Sequence, residues 1–137
     1  GHFAKTAERL REFSHSLPEI SRVAVLDGEI VAVCRVWPLV VGEARTRALF
    51  YGPVAVTPEQ RGSRLGQAVT VAALEAGEAQ GWPAAVLIGA PAYFCEIGFE
   101  VTPRGQLVFP GPQDQGRVMV KSLAGDASQL SGLVTAL

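Results

Sequence analysis

Asp27-Gly28 stands between two β-prone runs, Val23-Ala24-Val25-Leu26 and Glu29-Ile30-Val31-Ala32-Val33-Cys34. A type I′ turn needs positive φ at both central residues, which Asp tolerates and Gly prefers. The pair therefore predicts a tight hairpin, and the chain starts its sheet antiparallel. The second strand reads on through Arg35-Val36, and Pro38 argues for an edge or a bulge there. Val40-Val41 and Ala48-Leu49-Phe50-Tyr51 flank a polar turn, Gly42 to Arg47, and form a second hairpin. Gly52-Pro53 interrupts before Val54-Ala55-Val56, which predicts a bulge or splay inside one long strand. Thr57-Pro58-Glu59 is a turn.

The second half reads differently. A helix is predicted from Ala68 to Gln80, with Leu65, Val69, Ala72, Ala73 and Ala76 near one face. Gly81 sits where a C′ residue belongs, and Pro83 prevents continuation. Ala84-Ala85-Val86-Leu87-Ile88 is a continuous apolar run of strand length, suited to burial on both faces. Ala92 to Ile97 reads as a short helix ending at Gly98. Short strands follow at Gln106 to Phe109, Arg117 to Val120 and Gly132 to Val134, with turns at Pro110-Gly111-Pro112 and Gly125-Asp126. Two hairpins followed by a strand–helix–strand crossover give an α+β, mixed-sheet layout with helices covering a twisted sheet. Before it, Ala4 to Phe13 reads as a helix that Pro18 ends, and Gly1-His2 is compatible with a cloning remnant.

The chain has 137 residues, 48% hydrophobic and 18% charged, so it can bury a core and reads as one domain, 1–137. Its net charge is -1. There is no bulk positive field for nucleic acid and no basic run for a membrane surface. No apolar run is long enough to span a bilayer and no secretory signal is visible. Cys34 and Cys95 are too few and too far apart for a zinc site or a disulfide framework, and read as reduced, mostly buried thiols of a cytoplasmic protein. His2 and His15 lie too close together near the N-terminus to build a metal site. Trp37 and Trp82 read as core or groove aromatics.

The stretch richest in chemistry is Gln60-Arg61-Gly62-Ser63-Arg64-Leu65-Gly66-Gln67. It leaves a strand and opens a helix. Amides at a helix N-terminus are unpaired donors, and the helix dipole is positive there. Gly62 lets an anion approach closely, and Arg61 and Arg64 add charge, so the loop suits phosphate or pyrophosphate. It is neither a Walker A loop nor a dinucleotide fingerprint. Local physics leaves a second reading open, a glycine-containing turn with solvated arginines.

The segment Val54 to Gly66 resembles the strand and acetyl-CoA loop of GNAT-type N-acetyltransferases, whose motif is Q/R-x-x-G-x-G/A. Pro91-Ala92-Tyr93-Phe94-Cys95-Glu96-Ile97-Gly98-Phe99 is similar to the family's later Y-x-x-x-G-F segment, closest to its P-A-Y-Y-x-x-x-G-F subgroup. The two occur in the family's order, with one helix and one buried strand between. The resemblance runs from about Val23 to the C-terminus. It implies the acyl-CoA N-acyltransferase fold, an α+β sandwich whose mostly antiparallel twisted sheet holds one splayed parallel pair. Only 22 residues precede Val23, room for one helix, so the family's opening strand–helix is expected to be missing.

Carried over residue by residue, the resemblance implies that Val54-Ala55-Val56 splays from Ala84 to Ile88 and takes the pantetheine arm in the gap. Amides from Arg61 through Gln67 would hold the pyrophosphate, and Pro91, Phe94 and Cys95 would line the mouth. Arg64 falls where the family has its first motif glycine, and ordinary helical φ/ψ is expected for it. Phe94 stands where members often carry a general-acid tyrosine, and it cannot donate a proton. Tyr93 and Cys95 are the remaining candidates, and no general base is named. Thioester transfer to an unprotonated amine can run on positioning and polarisation alone. The resemblance thus implies acetyl transfer from acetyl-CoA, without a metal, to a small-molecule or peptide amine by direct attack in a ternary complex. The alternative is a catalytically weak or inactive CoA-binding module. The apolar C-terminal strands leave a homodimer open.

Overall fold

The computed structural model describes residues 15–111 and 117–137. The expected helix at Ala4 to Phe13, the Gly1-His2 pair and Pro112 of the later turn lie outside them. Strand β1 (Arg22–Leu26) turns into β2 (Glu29–Val41) through Asp27 at φ 51° and Gly28 at φ 81°. These are the two positive dihedrals that the Asp-Gly signal calls for. Strand β2 turns again into β3 (Thr46–Val56). A 3₁₀ turn (Pro58–Gln60), helix α1 (Leu65–Ala79) and β4 (Ala84–Ile88) follow. The short helix α2 (Pro91–Phe94) runs into a 3₁₀ turn (Cys95–Ile97), which ends at Gly98 with φ 99°. The remaining strands are β5 (Glu100–Val101), β6 (Leu107–Val108), β7 (Val118–Ser122) and β8 (Gly132–Ala136).

The strands join in the order β5-β7-β4-β3-β2-β8-β6, with β1 on the first half of β2. Pairing is antiparallel except for β3 with β4 and β6 with β8. This is the α+β mixed sheet expected from the hairpins and the crossover. The period of two in the strands separates its two faces. Trp37, Leu39, Phe50 and Val86 meet Leu107, Phe109 and Leu130 on one side. Cys34, Leu49, Tyr51 and Leu87 meet Val69, Ala73, Leu74 and Phe99 on the other, where α1 lies. Each such aliphatic or aromatic side chain contributes roughly 1.5–3 kcal/mol by leaving water.

Pro38 is neither at an edge nor in a bulge. It lies inside β2 opposite Leu49 of β3. Its carbonyl accepts from the Leu137 amide at 3.3 Å, so its nitrogen faces the same way. The missing donor therefore falls at the last rung of the β2–β8 ladder, where little is lost. The bulge is in β3 instead. Cys34 pairs with Val54 and Val36 with Tyr51, so Gly52 and Pro53 stand against Arg35 alone. The expected interruption at Gly52-Pro53 is there.

Helix α1 begins at Leu65, three residues before the predicted start, and its buried face is shifted. Gly66, Gln67, Val69, Thr70, Ala73, Leu74 and Gly77 are buried, while Ala72 and Ala76 are half-buried. Close approach explains the shift. A Cβ on Gly77 would stand 2.5 Å from Tyr51 Oη and 2.9 Å from Leu49 Cδ1. Tyr51 Oη donates to the Ala73 carbonyl at 3.1 Å, and Thr70 Oγ1 to the Gly66 carbonyl at 2.7 Å. A reading by apolarity passes over glycine and threonine, which here let the helix sit against β3.

Of the two thiols expected to be mostly buried, Cys34 is fully buried beneath α1, whereas Cys95, in the 3₁₀ turn after α2, is exposed. Burial pushes the Cys34 thiol up to about 12, against a smaller opposing effect of Thr70. One thiol per chain is therefore expected to react with an aromatic disulfide reagent at pH 8, and the second after unfolding. The fold keeps a proton that the unfolded chain sheds near pH 9. Stability from this group should be intact below that value and fall at up to about 1.4 kcal/mol per pH unit above it. Denaturant midpoints between pH 8 and 10 read the slope, and Cys34→Ala should flatten it.

Candidate functional site

Strands β3 and β4 run together for only two rungs, Leu49 with Ala85 and Phe50 with Val86. Beyond them they part, and among the described residues Val54-Ala55-Val56 has no strand on the β4 side. The amide of Thr57 donates to the Val31 carbonyl at 2.9 Å, toward β2. Backbone groups alternate along a strand, so those of Val56 and Val54 point the other way, into the gap.

The chain leaves β3 through Pro58–Gln60 and reaches α1 through Arg61, Gly62, Ser63 and Arg64. Gly62 has φ 86°, and no atom stands within 4 Å of where its Cβ would be. Ser63 donates through its amide and its hydroxyl to the Gln60 carbonyl, closing the turn. Among the described residues, the amides of Gly62, Arg64, Leu65, Gly66 and Gln67 donate to no backbone carbonyl. Three of these open a 15-residue helix, where unpaired donors and the positive end of the dipole coincide.

Arg64 departs from expectation. It caps α1 in the left-handed region, φ 65° and ψ 16°, instead of the ordinary helical region. The chain must reverse its curvature there to enter the helix, a conformation that glycine takes without a Cβ penalty. A residue with a Cβ holds it at a cost of about 1–2 kcal/mol. Its guanidinium turns across the loop to Glu96. Arg64 Nη1 lies 2.8 Å from Glu96 Oε2 and donates also to Gln67 Oε1 at 3.2 Å. Hydrogen bonding with Arg64 holds the Glu96 carboxyl below the usual carboxylate range and raises the arginine in turn.

The loop faces a cleft of about 370 Å³ lined by Val56, Gln60, Arg61, Gly62, Arg64, Leu65, Gly66, Gln67, Tyr93 and Glu96. The structure therefore brings together Val56, the loop and Tyr93. Ser63, exposed and bonded back to Gln60, is not in the lining. Tyr93 Oη would meet a Cβ on Gly66 at 2.5 Å, so Gly66 is small because the tyrosine lies on it. Gln67 Nε2 donates to the Tyr93 carbonyl at 3.0 Å and fastens α2 to the loop.

Phe94 is not among the residues that line this cleft. It is 8% exposed and packs edge-on against Tyr93 and Phe99, at 4.8 and 6.2 Å between centroids. Pro91 starts α2, and neither it nor Cys95 reaches the lining. Glu96 and Gln60 are the lining residues that sequence reasoning missed. Gln60 was open to inclusion as the first residue of the loop. Glu96 carried no signal, since it reaches Arg64 from 32 positions away.

No family model and no curated protein matches the chain. Solved structures do. A GNAT family N-acetyltransferase (YhbS) from Escherichia coli, in complex with CoA, is 28% identical with a TM-score of 0.79, over 98% of this chain and 75% of that one. A GNAT family acetyltransferase from Brucella melitensis, in complex with acetyl-CoA, is 21% identical with a TM-score of 0.71, over the same shares. An acetyltransferase of the GNAT family from Staphylococcus aureus is 15% identical with a TM-score of 0.59, over 77% of this chain and 69% of that one. The match to the first of these runs over 98% of the chain at a TM-score of 0.79: the protein carries the acyl-CoA N-acyltransferase fold of the GNAT N-acetyltransferases.

Proposed function

We propose that the protein is an N-acetyltransferase that moves an acetyl group from acetyl-CoA to an amine. The observation that carries this reading is the run of amides at Gly62 and Arg64–Gln67 that are unpaired among the described residues, next to a strand edge whose Val54 and Val56 groups likewise have no partner among them. Anions and an extended amide-bearing arm are what such donors and acceptors suit. The fit is supported by Gly62, whose missing Cβ leaves the approach to the loop open. The relatives in complex with CoA and acetyl-CoA support the same ligand.

In this reading the loop amides and the α1 dipole hold the diphosphate, with Arg61 adding charge. Val54 and Val56 align the arm along the β3 edge. Acetyl-CoA supplies an activated thioester. An unprotonated amine attacks its carbonyl carbon, the C–N bond forms, the C–S bond breaks, and the proton leaves the nitrogen for solvent or the departing thiolate. The chain's contribution is positioning and backbone polarisation. Tyr93, whose hydroxyl lies over Gly66 in the cleft wall, is the candidate proton donor, and Cys95, away from the lining, is the weaker one.

The burial of Phe94 in the apolar core favours a second reading, a CoA-binding module with little or no transfer. Titration calorimetry with acetyl-CoA, and with dephospho-CoA and ATP as controls, tests the ligand. Micromolar binding is expected, weakened about tenfold or more by Arg61→Ala with Gly62→Ala, equivalent to about 1.4 kcal/mol. Absence of binding to all three compounds sinks both readings. A panel of small-molecule and peptide amines then separates them, since ready turnover ends the second.

A further inference from the structure

Arg64 and Glu96 both line the cleft and are joined at 2.8 Å. A cleft that takes an anion gains from free cations and loses from a fixed carboxylate in its wall. Here one of the loop's two arginines is already neutralised by the protein's own acid. The other, Arg61, has no ion pair with a described residue. Arg64 is held in this arrangement from two sides. Its left-handed backbone sends the side chain across the loop, and Gln67, itself 7% exposed, accepts from the same Nη1.

We infer that Glu96 is an internal counter-ion that competes with the ligand's diphosphate for Arg64, and so sets the affinity of the site. This rests on the reading of the loop as a CoA diphosphate site. When the diphosphate enters, the guanidinium exchanges one anionic partner for another, and Glu96 is left facing the ligand's negative charge. The affinity is therefore lower than the loop alone would reach. Both side chains are well exposed, at 72% and 50%. Salt therefore screens the effect, and it should weaken toward 1 M, where the screening length falls to about 3 Å.

The test is titration of the full chain with CoA and, separately, with inorganic pyrophosphate, at low and high salt. Glu96→Gln is isosteric and on the surface, so the fold is kept. It is expected to tighten both ligands three- to tenfold at low salt and to steepen the salt dependence. In an Arg64→Gly background, which has no guanidinium to release, the gain should shrink to less than half. Pyrophosphate that tightens on Glu96→Gln, with no CoA binding, supports the competition and overturns the CoA reading. CoA binding that is unchanged or weaker in Glu96→Gln overturns the competition alone. Neither ligand binding to any variant overturns both.

Discussion

Gly66→Val is expected to weaken CoA binding at least tenfold while the chain still folds. A Cβ at this position stands 2.5 Å from Tyr93 Oη and 3.2 Å from Val56 Cγ2, and both residues line the cleft. The tyrosine hydroxyl is the far end of a side chain and can swing away, so the helix survives. The cleft does not, because the branched side chain and the displaced ring fill the space in front of the Leu65–Gln67 amides. Gly66→Ala isolates the cause. It should cost about 1–2 kcal/mol of stability, as an overpacked contact does. In a Tyr93→Phe background, where the nearest ring atom is Cζ at 3.6 Å, that cost should fall by half or more. A Gly66→Val chain that binds CoA like the parent would remove Tyr93 and Gly66 from the wall of the site.

The largest loss of stability is expected for Gly42→Ala. Gly42 ends β2 with φ 72°, and its amide donates to the Leu133 carbonyl at 2.8 Å. A Cβ there would collide with the Ser131 carbonyl oxygen and stand 3.4 Å from the carbon of that carbonyl. Both obstacles are main chain, with no flexible end to yield. The left-handed dihedral costs about 1–2 kcal/mol and the overpacking about 1–3 more. Gly28→Ala is the matched control. It has φ 81° but nothing within 4 Å, so only the dihedral cost applies, about 1 kcal/mol. Denaturant melts of the two variants should differ by the overpacking cost, about 1–3 kcal/mol; equal midpoints would mean that the β2–β8 junction relaxes around a methyl group.

The parts of this fold legible in sequence are those decided within a few residues. Asp27-Gly28 sets its own dihedrals. Ala84 to Ile88 is apolar throughout because it is covered on both faces, and Gly81 and Gly98 stop helices at left-handed positions. The site loop was legible for the same reason, since glycines and arginines between a strand and a helix speak locally. Illegible parts depend on distant neighbours. Nothing near Arg64 announces that it takes the left-handed cap, because the residue that holds its side chain, Glu96, arrives from another element. Which way Phe94 turns is settled by Gly89, whose Cβ would stand 2.6 Å from the Phe94 ring, and by Phe99. Pro38 was misplaced because which side of β2 loses a donor depends on where the β8 ladder ends.

The parting of β3 from β4 has a consequence for how freely this wall can vary. What Val54 and Val56 turn toward the gap are peptide groups, identical for every residue but proline. At Val54, whose side chain is not in the cleft lining, a substitution by isoleucine or threonine changes what stands on the sheet's face and leaves the gap's chemical lettering as it was. The wall is thus written in main chain, and its upkeep falls on residues that never touch it: the two rungs at Leu49 and Phe50 that hold the strands together, and the bulge at Gly52-Pro53 beyond which they diverge.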